Sequence, residues 1–490
     1  MNGAESPSPK TSSRMIVLEL TGAEKHFLDK YVKEGSLPTF EKLLQKGKLL
    51  KTKNAIANFS KERGGATVNP WAIWPTIYTG MSPAEHGIIG FGQDSQNLQG
   101  SCIWDRLNSR GITTGVFGSL IGAPMESDPK MLFYLPGIFG NIRQALPKSY
   151  TIVQECLLFS ALSHTKKAPF RALYLFLKLG VAFFQGVPFA ILKKLARLIP
   201  LEFFQSVFFQ KDRSLLLAQL QMEVFHTLYQ RFKPAFATFH LTHIAYAQHL
   251  YWRASEPERF KDKLGELDSY YFSSLEERKF HESIFKEAIL DSFKLMDQFL
   301  AQLVVSMEDN TVLVIITGMG QKSHDPVNQI HKPDTRLTHI DKLLKFVDIE
   351  NCEILSQMNP DITLNFENST EASLAEFKLS HMKVLSEYPL FNVTQKENQL
   401  FLEETLPPEI WFVGEEAWIE NISSEKIMPL FDFVRLSPLK DQHSAHDVGR
   451  GWMLFYGNLD RLSFGADTLE ITEIYPLLLG YFDDRLKAEL

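Results

Sequence analysis

Histidine is the residue type in this sequence best suited to chemistry, and it falls in short runs. "LTHIAYAQHLYW" closes an apolar strand-like stretch and carries His243 and His249; "HSAHDVGRGWMLFYG" carries His443 and His446, with Asp447 beside them. Imidazole changes charge near neutral pH, binds metals through a neutral ring nitrogen and donates hydrogen bonds to anions. The competing reading of a histidine at an apolar strand end is a hydrogen-bonded core residue. A third run, "NPWAIWPTIYTGMSPAEHGIIGF" at 69–91, joins two tryptophans to Thr79-Gly80 and Glu85-His86-Gly87. Trp71 and Trp74 would line a pocket or, as buried aromatics mostly do, pack a core. Capping or packing accounts for His86 without catalysis. "GFGQ" and "GMGQ" lack the spacing and strand-to-helix setting of a phosphate cradle.

Such residues need a frame. With 490 residues, 44% of them hydrophobic, the chain can bury a large core and exceeds one simple domain. Its net charge of -7, with both signs interspersed, offers no basic stripe for nucleic acid. Three separated cysteines, Cys102, Cys156 and Cys352, form no framework and fit a reducing compartment. The stretch 1–14 is polar and rich in Ser and Pro, which reads as a disordered tail rather than a secretory leader, so a cytoplasmic location is expected.

After that tail, strand-like and helix-like periods alternate, the pattern of a parallel sheet covered by helices. "MIVLEL" and "TVLVIIT" read as buried strands, "EKHFLDKYVKEG" and "LPTFEKLLQKG" as helices, the second opened by Pro38 and stopped at Gly47. "CIWDRLNSRG" reads as a helix closed by Gly111, followed by the strand "TTGVFG". "PAFATFHLTHIAYAQHLYW" reads as a strand whose end carries Thr242, His243 and His249. In open α/β sheets, sites are built at the carboxyl ends of strands, and these residues fall there.

Two stretches interrupt the alternation. Residues 150–231 are dense in Leu and Phe but broken by Lys178, Gln185, Gly186 and Pro188, which argues for a helical insertion over a spanning helix. A lipid-facing surface over 168–209, flanked by Lys193, Lys194 and Arg197, is the sharper reading. Residues 340–431 read as strand, strand, helix and a hairpin with the turn "KEN", a small α+β insertion of ferredoxin-like character. The implied division is 1–14, 15–149, 150–231, 232–339, 340–431 and 432–490.

The "TG…P..HGI" run, the opening strand, the strand carrying "THIAYAQH", "ITGMG" and the final "HSAHDVG" resemble, in order, the motifs of the alkaline phosphatase superfamily. The branch they resemble most is the type I phosphodiesterase/nucleotide pyrophosphatase group. The resemblance implies an alkaline phosphatase-like α/β fold with helices on both faces of a mostly parallel sheet. It also implies two metals, usually zinc, around a Thr or Ser nucleophile, acting on a phosphate ester.

Position by position, the match is uneven. The Asp expected after the first strand is Thr21, and the nearest carboxylate is Glu19, on the same pleat face. The nucleophile's place falls at Pro70 or Asn69, leaving Thr67 as a displaced hydroxyl. An Asp-x-x-x-His element retains His249 but has Ala245 in the Asp place. "Ser-Asp-His-Gly-Met-Gly" becomes Ile316-Thr317-Gly318-Met319-Gly320, without its ligands. The last element keeps His446, with His443 as the alternative. Candidate catalytic residues are thus Thr67, Asn69 and Glu19, and candidate binding residues His243, His249, His443 and His446. His249 and His446 would hold at most one Zn or Mn, with His243, His443 or Asp447 as third ligand. Two functions follow: a divergent phosphohydrolase or phosphodiesterase acting on a phosphate ester with at most one metal, or a pseudoenzyme without metal, a binding or regulatory module for a phosphate ester or other anionic small molecule, a glycan or a partner protein.

Overall fold

Strand β1 (Arg14–Leu20) lies in the middle of an eight-stranded sheet, and its six residues from Met15 onward are all buried. A strand covered on both faces must be apolar on both, which is why "MIVLEL" runs without polar alternation. The other strands are β2 (Lys48–Lys53), β3 (Thr114–Phe117), β4 (Met131–Leu135), β5 (Phe236–Leu241), β6 (Thr311–Ile316), β7 (Arg450–Gly457) and β8 (Thr468–Glu470). Their order across the sheet is β8-β2-β7-β6-β1-β5-β3-β4. β1 pairs in parallel with β5 and β6, β3 with β4 and β5, and β2 with β8; β7 runs antiparallel between β2 and β6. This computed structural model describes residues 13–54, 68–88, 98–121, 128–138, 142–162, 169–201, 207–260, 274–323, 335–337, 339–354, 362–407, 410, 417–421, 426–432, 434–436 and 444–483.

Helices cover both faces. On one, Ile16, Leu18 and Leu20 of β1 meet α1 (Lys25–Lys33), α2 (Pro38–Lys46) and a helical set that continues through the Leu/Phe-rich insertion. On the other, Met15 and Val17 meet α3 (Pro70–Thr79) and the C-terminal helix at Ile471–Gly480. The alternation of β1 between these clusters is the period-2 geometry of a strand. The insertion folds as α4 (Thr151–Leu162), α5 (Pro169–Phe184), α6 (Phe189–Leu201) and α7 (Val207–Phe232). Among the described residues, no helix is long and apolar enough to cross a membrane.

One expectation is corrected by the chain after β5. The strand stops at Leu241 and the chain enters helix α8 (His243–Ser255), so His243 and His249 lie on a helix rather than at a strand end. Farther on, α9 (Ala288–Ser306) leads into β6. Between β6 and β7 the chain builds a separate apolar cluster from Ile340, Leu364, Leu379, Leu402 and their neighbours. Two four-stranded sheets surround it, and helix Ser369–Ser380 packs on the hairpin of Phe391–Lys396 and Gln399–Glu404.

Candidate functional site

The carboxyl ends of β1, β5 and β6 meet the N-terminus of α8 and the two-stranded antiparallel ribbon formed by Gly320–Ser323 and Ala445–Val448. Here two polar networks stand side by side.

The first lies behind Thr21. Glu19 and His240 are register partners on β1 and β5, and both are almost fully buried. His240 Nδ1 lies 2.9 Å from Glu19 Oε2 and its Nε2 lies 3.0 Å from Thr21 Oγ1. Tyr78 Oη donates to Glu19 Oε2 at 2.6 Å, Thr238 Oγ1 donates to Glu19 Oε1, and Trp74 Nε1 donates to Thr21 Oγ1 at 3.0 Å. A buried carboxylate is tolerable only when its lone pairs are occupied in this way. Burial, with Glu19 beside it, pushes the Tyr78 hydroxyl well above its ordinary pKa, so Tyr78 stays a donor. Thr21, His240 and Glu19 have the connectivity of a nucleophile, base and orienting acid. Trp74, however, covers the Thr21 oxygen, which is 6% exposed at the residue level, and leaves no approach for a substrate. Glu19 is therefore an interior acceptor, not a group facing the cleft.

The second network lies in front. Gln321 sits opposite Asp447 across the two-stranded ribbon, and its Nε2 donates to Asp447 Oδ1 at 2.9 Å and to His249 Nε2 at 2.7 Å. Its Oε1 accepts from Gln248 Nε2 at 2.6 Å, and its backbone N–H donates to Glu24 Oε2 at 2.8 Å. Gln248 completes the set by donating to Gly22 O at 2.8 Å and accepting from Glu24 N at 3.0 Å. His249 Nδ1 meets the Ala445 carbonyl at 2.9 Å. A hydrogen on Nδ1 satisfies that carbonyl and leaves the Nε2 lone pair to accept from the Gln321 amide.

The remaining candidates divide. His446, next to Asp447, is half-buried, and desolvation with Lys322 close by pulls its pKa below the usual histidine value. His243 turns away from the cleft: its Nε2 lies 3.3 Å from the Ser292 carbonyl on α9, and burial lowers its pKa to about 4. Asn69 is the N-cap of α3, its Oδ1 accepting from Trp71 N at 2.9 Å, and an amide so engaged is neither nucleophile nor base. Thr76 and His86 pair at 3.0 Å, while His86 Nδ1 accepts from Ile88 N at 3.1 Å, a packing role. Thr67 and His443 lie outside the described residues.

The fit to metal can be tested on these donors. Thr317 Oγ1 accepts from Trp452 N at 2.9 Å, and at Gly318, with φ +67°, any β-carbon would meet Ile73, Trp74 and Ile77 of α3. A β-carbon at Gly22 would lie 3.2 Å from the Ala245 methyl and 3.1 Å from the Gln321 amide. Methyl, amide and hydroxyl groups thus stand where anionic ligands are expected. No group of three or more His, Cys, Asp or Glu side chains able to hold a metal occurs among the described residues. The residues present do not fit a two-metal centre. Gln321 and Gln248 were missed by sequence reasoning because amides carry no titration or ligand-spacing signal, and Glu24 because it falls at none of the motif positions.

The sheet order, the paired carboxyl ends and the two-stranded ribbon beside α8 define an α/β protein with a polar site at the carboxyl ends of its central strands. A family model for type I phosphodiesterase / nucleotide pyrophosphatase matches residues 15–419, and the chain belongs to that family. It is similar to phosphonoacetate hydrolase from Sinorhizobium meliloti 1021 in complex with phosphonoformate, with 13% identity, coverage of 97% of both chains and a TM-score of 0.42. It is also similar to human ectonucleotide pyrophosphatase / phosphodiesterase 5, with 12% identity, coverage of 95% of this chain and 93% of that one, and a TM-score of 0.37. No curated protein matches.

Proposed function

We propose that this chain is a pseudoenzyme of the phosphodiesterase family, which binds a phosphate ester or a related small anion without the family's two-metal hydrolysis. One observation carries this reading: the Gln321 amide donates to both His249 Nε2 and Asp447 Oδ1, using the donor atoms a metal would need. The replacements follow a physical logic. Carboxylates left without metal would repel a phosphate; Thr21, Ala245 and Thr317 carry no charge, and the two carboxylates that stay, Glu24 and Asp447, are engaged by the backbone N–H and the side-chain amide of Gln321. His249, His446 and Lys322 are the polar and cationic groups near that end of the sheet.

Elemental analysis of the purified protein, together with hydrolysis of bis-p-nitrophenyl phosphate, tests the proposal. The expected result is substoichiometric metal and no turnover above the level of a His249→Ala/His446→Ala variant. One zinc or manganese per chain, lost in that variant along with activity, would overturn it. The same result would support a second reading, a single-metal phosphohydrolase. That reading is favoured by the 3.4 Å approach of His249 Nε2 to Asp447 Oδ1, with His446 alongside. It requires Gln321 to swing out of the cleft.

A further inference from the structure

The hairpin of α5 and α6 carries a surface unlike the rest of the described residues. Fourteen large apolar side chains are exposed among the described residues, and six of them, Tyr174, Leu177, Val181, Phe183, Phe184 and Phe189, fall on this hairpin. Phe184 is 89% exposed, Leu177 71% and Phe189 68%. Tyr174, Leu177, Val181 and Phe184 follow at spacings of three, four and three, so they form one stripe along α5. Leu175, Leu179 and Ala182, on the opposite side of α5, are buried against the core. The helix therefore has a second apolar face that folding does not use.

Charge identifies the occupant. Residues 169–201 contain five basic residues, Arg171, Lys178, Lys193, Lys194 and Arg197, and no acidic one, in a chain of net charge -7. Lys193 and Arg197 are exposed and follow Phe189 at successive four-residue steps, which puts cations on the same stripe of α6 as the exposed phenylalanine. Lys178 lies over the Tyr174 ring, 4.5 Å from its centroid, and reaches Glu155 at 3.2 Å. A protein partner with an apolar groove would need only the aromatic tip. An apolar tip edged by cations, on a chain otherwise negative, fits an anionic bilayer surface, with the phenylalanines at the acyl boundary and the cations among the headgroups.

We infer that the α5–α6 hairpin docks this protein on anionic membrane surfaces, lying in the interface without spanning it. The inference is independent of what the cleft binds. Its test is co-sedimentation of the full chain with vesicles of phosphatidylcholine alone and of phosphatidylcholine mixed with phosphatidylglycerol. Phe184→Ser/Phe189→Ser and Lys193→Glu/Arg197→Glu variants are compared with the parent, and far-UV circular dichroism confirms that each folds. The parent is expected to pellet with the anionic vesicles, added salt to release it, and each double variant to lose binding on the order of tenfold or more. A parent that remains in the supernatant with both vesicle types overturns the inference, as does a variant that pellets like the parent. Self-association without vesicle binding, abolished by Phe184→Ser/Phe189→Ser, would assign the face to a second copy of the chain and overturn the lipid reading.

Discussion

Glu19 shows how much structure hangs on one carboxylate. Tyr78, Thr238 and His240 all converge on it, so Glu19→Ala strands three buried polar groups, whereas Glu19→Gln preserves the shape and one acceptor. The Ala variant is expected to lose about 3–5 kcal/mol in urea denaturation and the Gln variant markedly less. Histidines that stay neutral when buried add a pH dependence. Burial holds His86 and His243 at about 4, against 6.5 when unfolded. Between these values the unfolded chain takes up two protons the native chain refuses, so stability falls as pH drops from 6.5 towards 4. Asp105 opposes this, because its pKa is raised by burial from 3.8 to about 6, and acidification relieves the cost of its buried charge. His226 and His446, also lowered by burial, add to the histidine side, so stability is expected to fall on balance towards pH 4, and His243→Gln should narrow the gap between urea midpoints at about pH 7 and about pH 4. The sequence could identify His249, His446 and the missing anions, since those are residue types. It could not identify Gln321, whose importance lies only in the atoms it reaches.

Helix α3 carries the same lesson one level up. Its start and stop are written locally: Asn69 caps it, Pro70 occupies the first turn, and Gly80 ends it with φ +71°. Asn69→Ala is expected to cost about 1 kcal/mol of stability and Asn69→Ser a few tenths, with anion binding, followed by calorimetry, unchanged in both. A loss of binding at full stability would instead return Asn69 to the site. Gly80→Ala should be costlier, since the left-handed backbone disfavours any side chain and the new carbon would lie 3.0 Å from Tyr475 Cβ. β1, α2 and β6 were equally readable, because a buried run or a Pro-to-Gly frame is a local signal. The boundary after β5 was not. "FATFHLTHIAYAQHLYW" stays rich in aromatic and apolar residues across Thr242, so composition does not change where strand becomes helix. That boundary decides the site: on α8, His249 reaches Gln321 while His243, six residues earlier, faces α9.

At the scale of the whole molecule, the three apolar clusters predict how the protein comes apart. Two of them share the central sheet, with successive residues of β1 contributing to opposite faces, so neither can open without exposing the other. The third draws its buried residues from Ile340 to Leu430 alone, and none of its strands pairs with the eight-stranded sheet. Cooperativity follows shared burial, so the sheet with its helices and the 340–430 unit should unfold as two transitions. Leu364, fully buried in the third cluster, and Leu313, fully buried on β6, separate them. Leu364→Ala should lower one calorimetric transition by about 2–5 kcal/mol and leave the other in place, while Leu313→Ala should do the reverse. Anion binding ties this to the cleft. The groups named there, from Thr21, Glu24 and Gln248 to Gln321 and Asp447, lie on or beside the sheet, its helices or the adjoining two-stranded ribbon and none falls within 340–430, so saturating ligand should raise only the Leu313-sensitive transition. If both transitions rose together, the 340–430 unit would have to contribute to the binding surface as well, and the cleft would be a site made between the two.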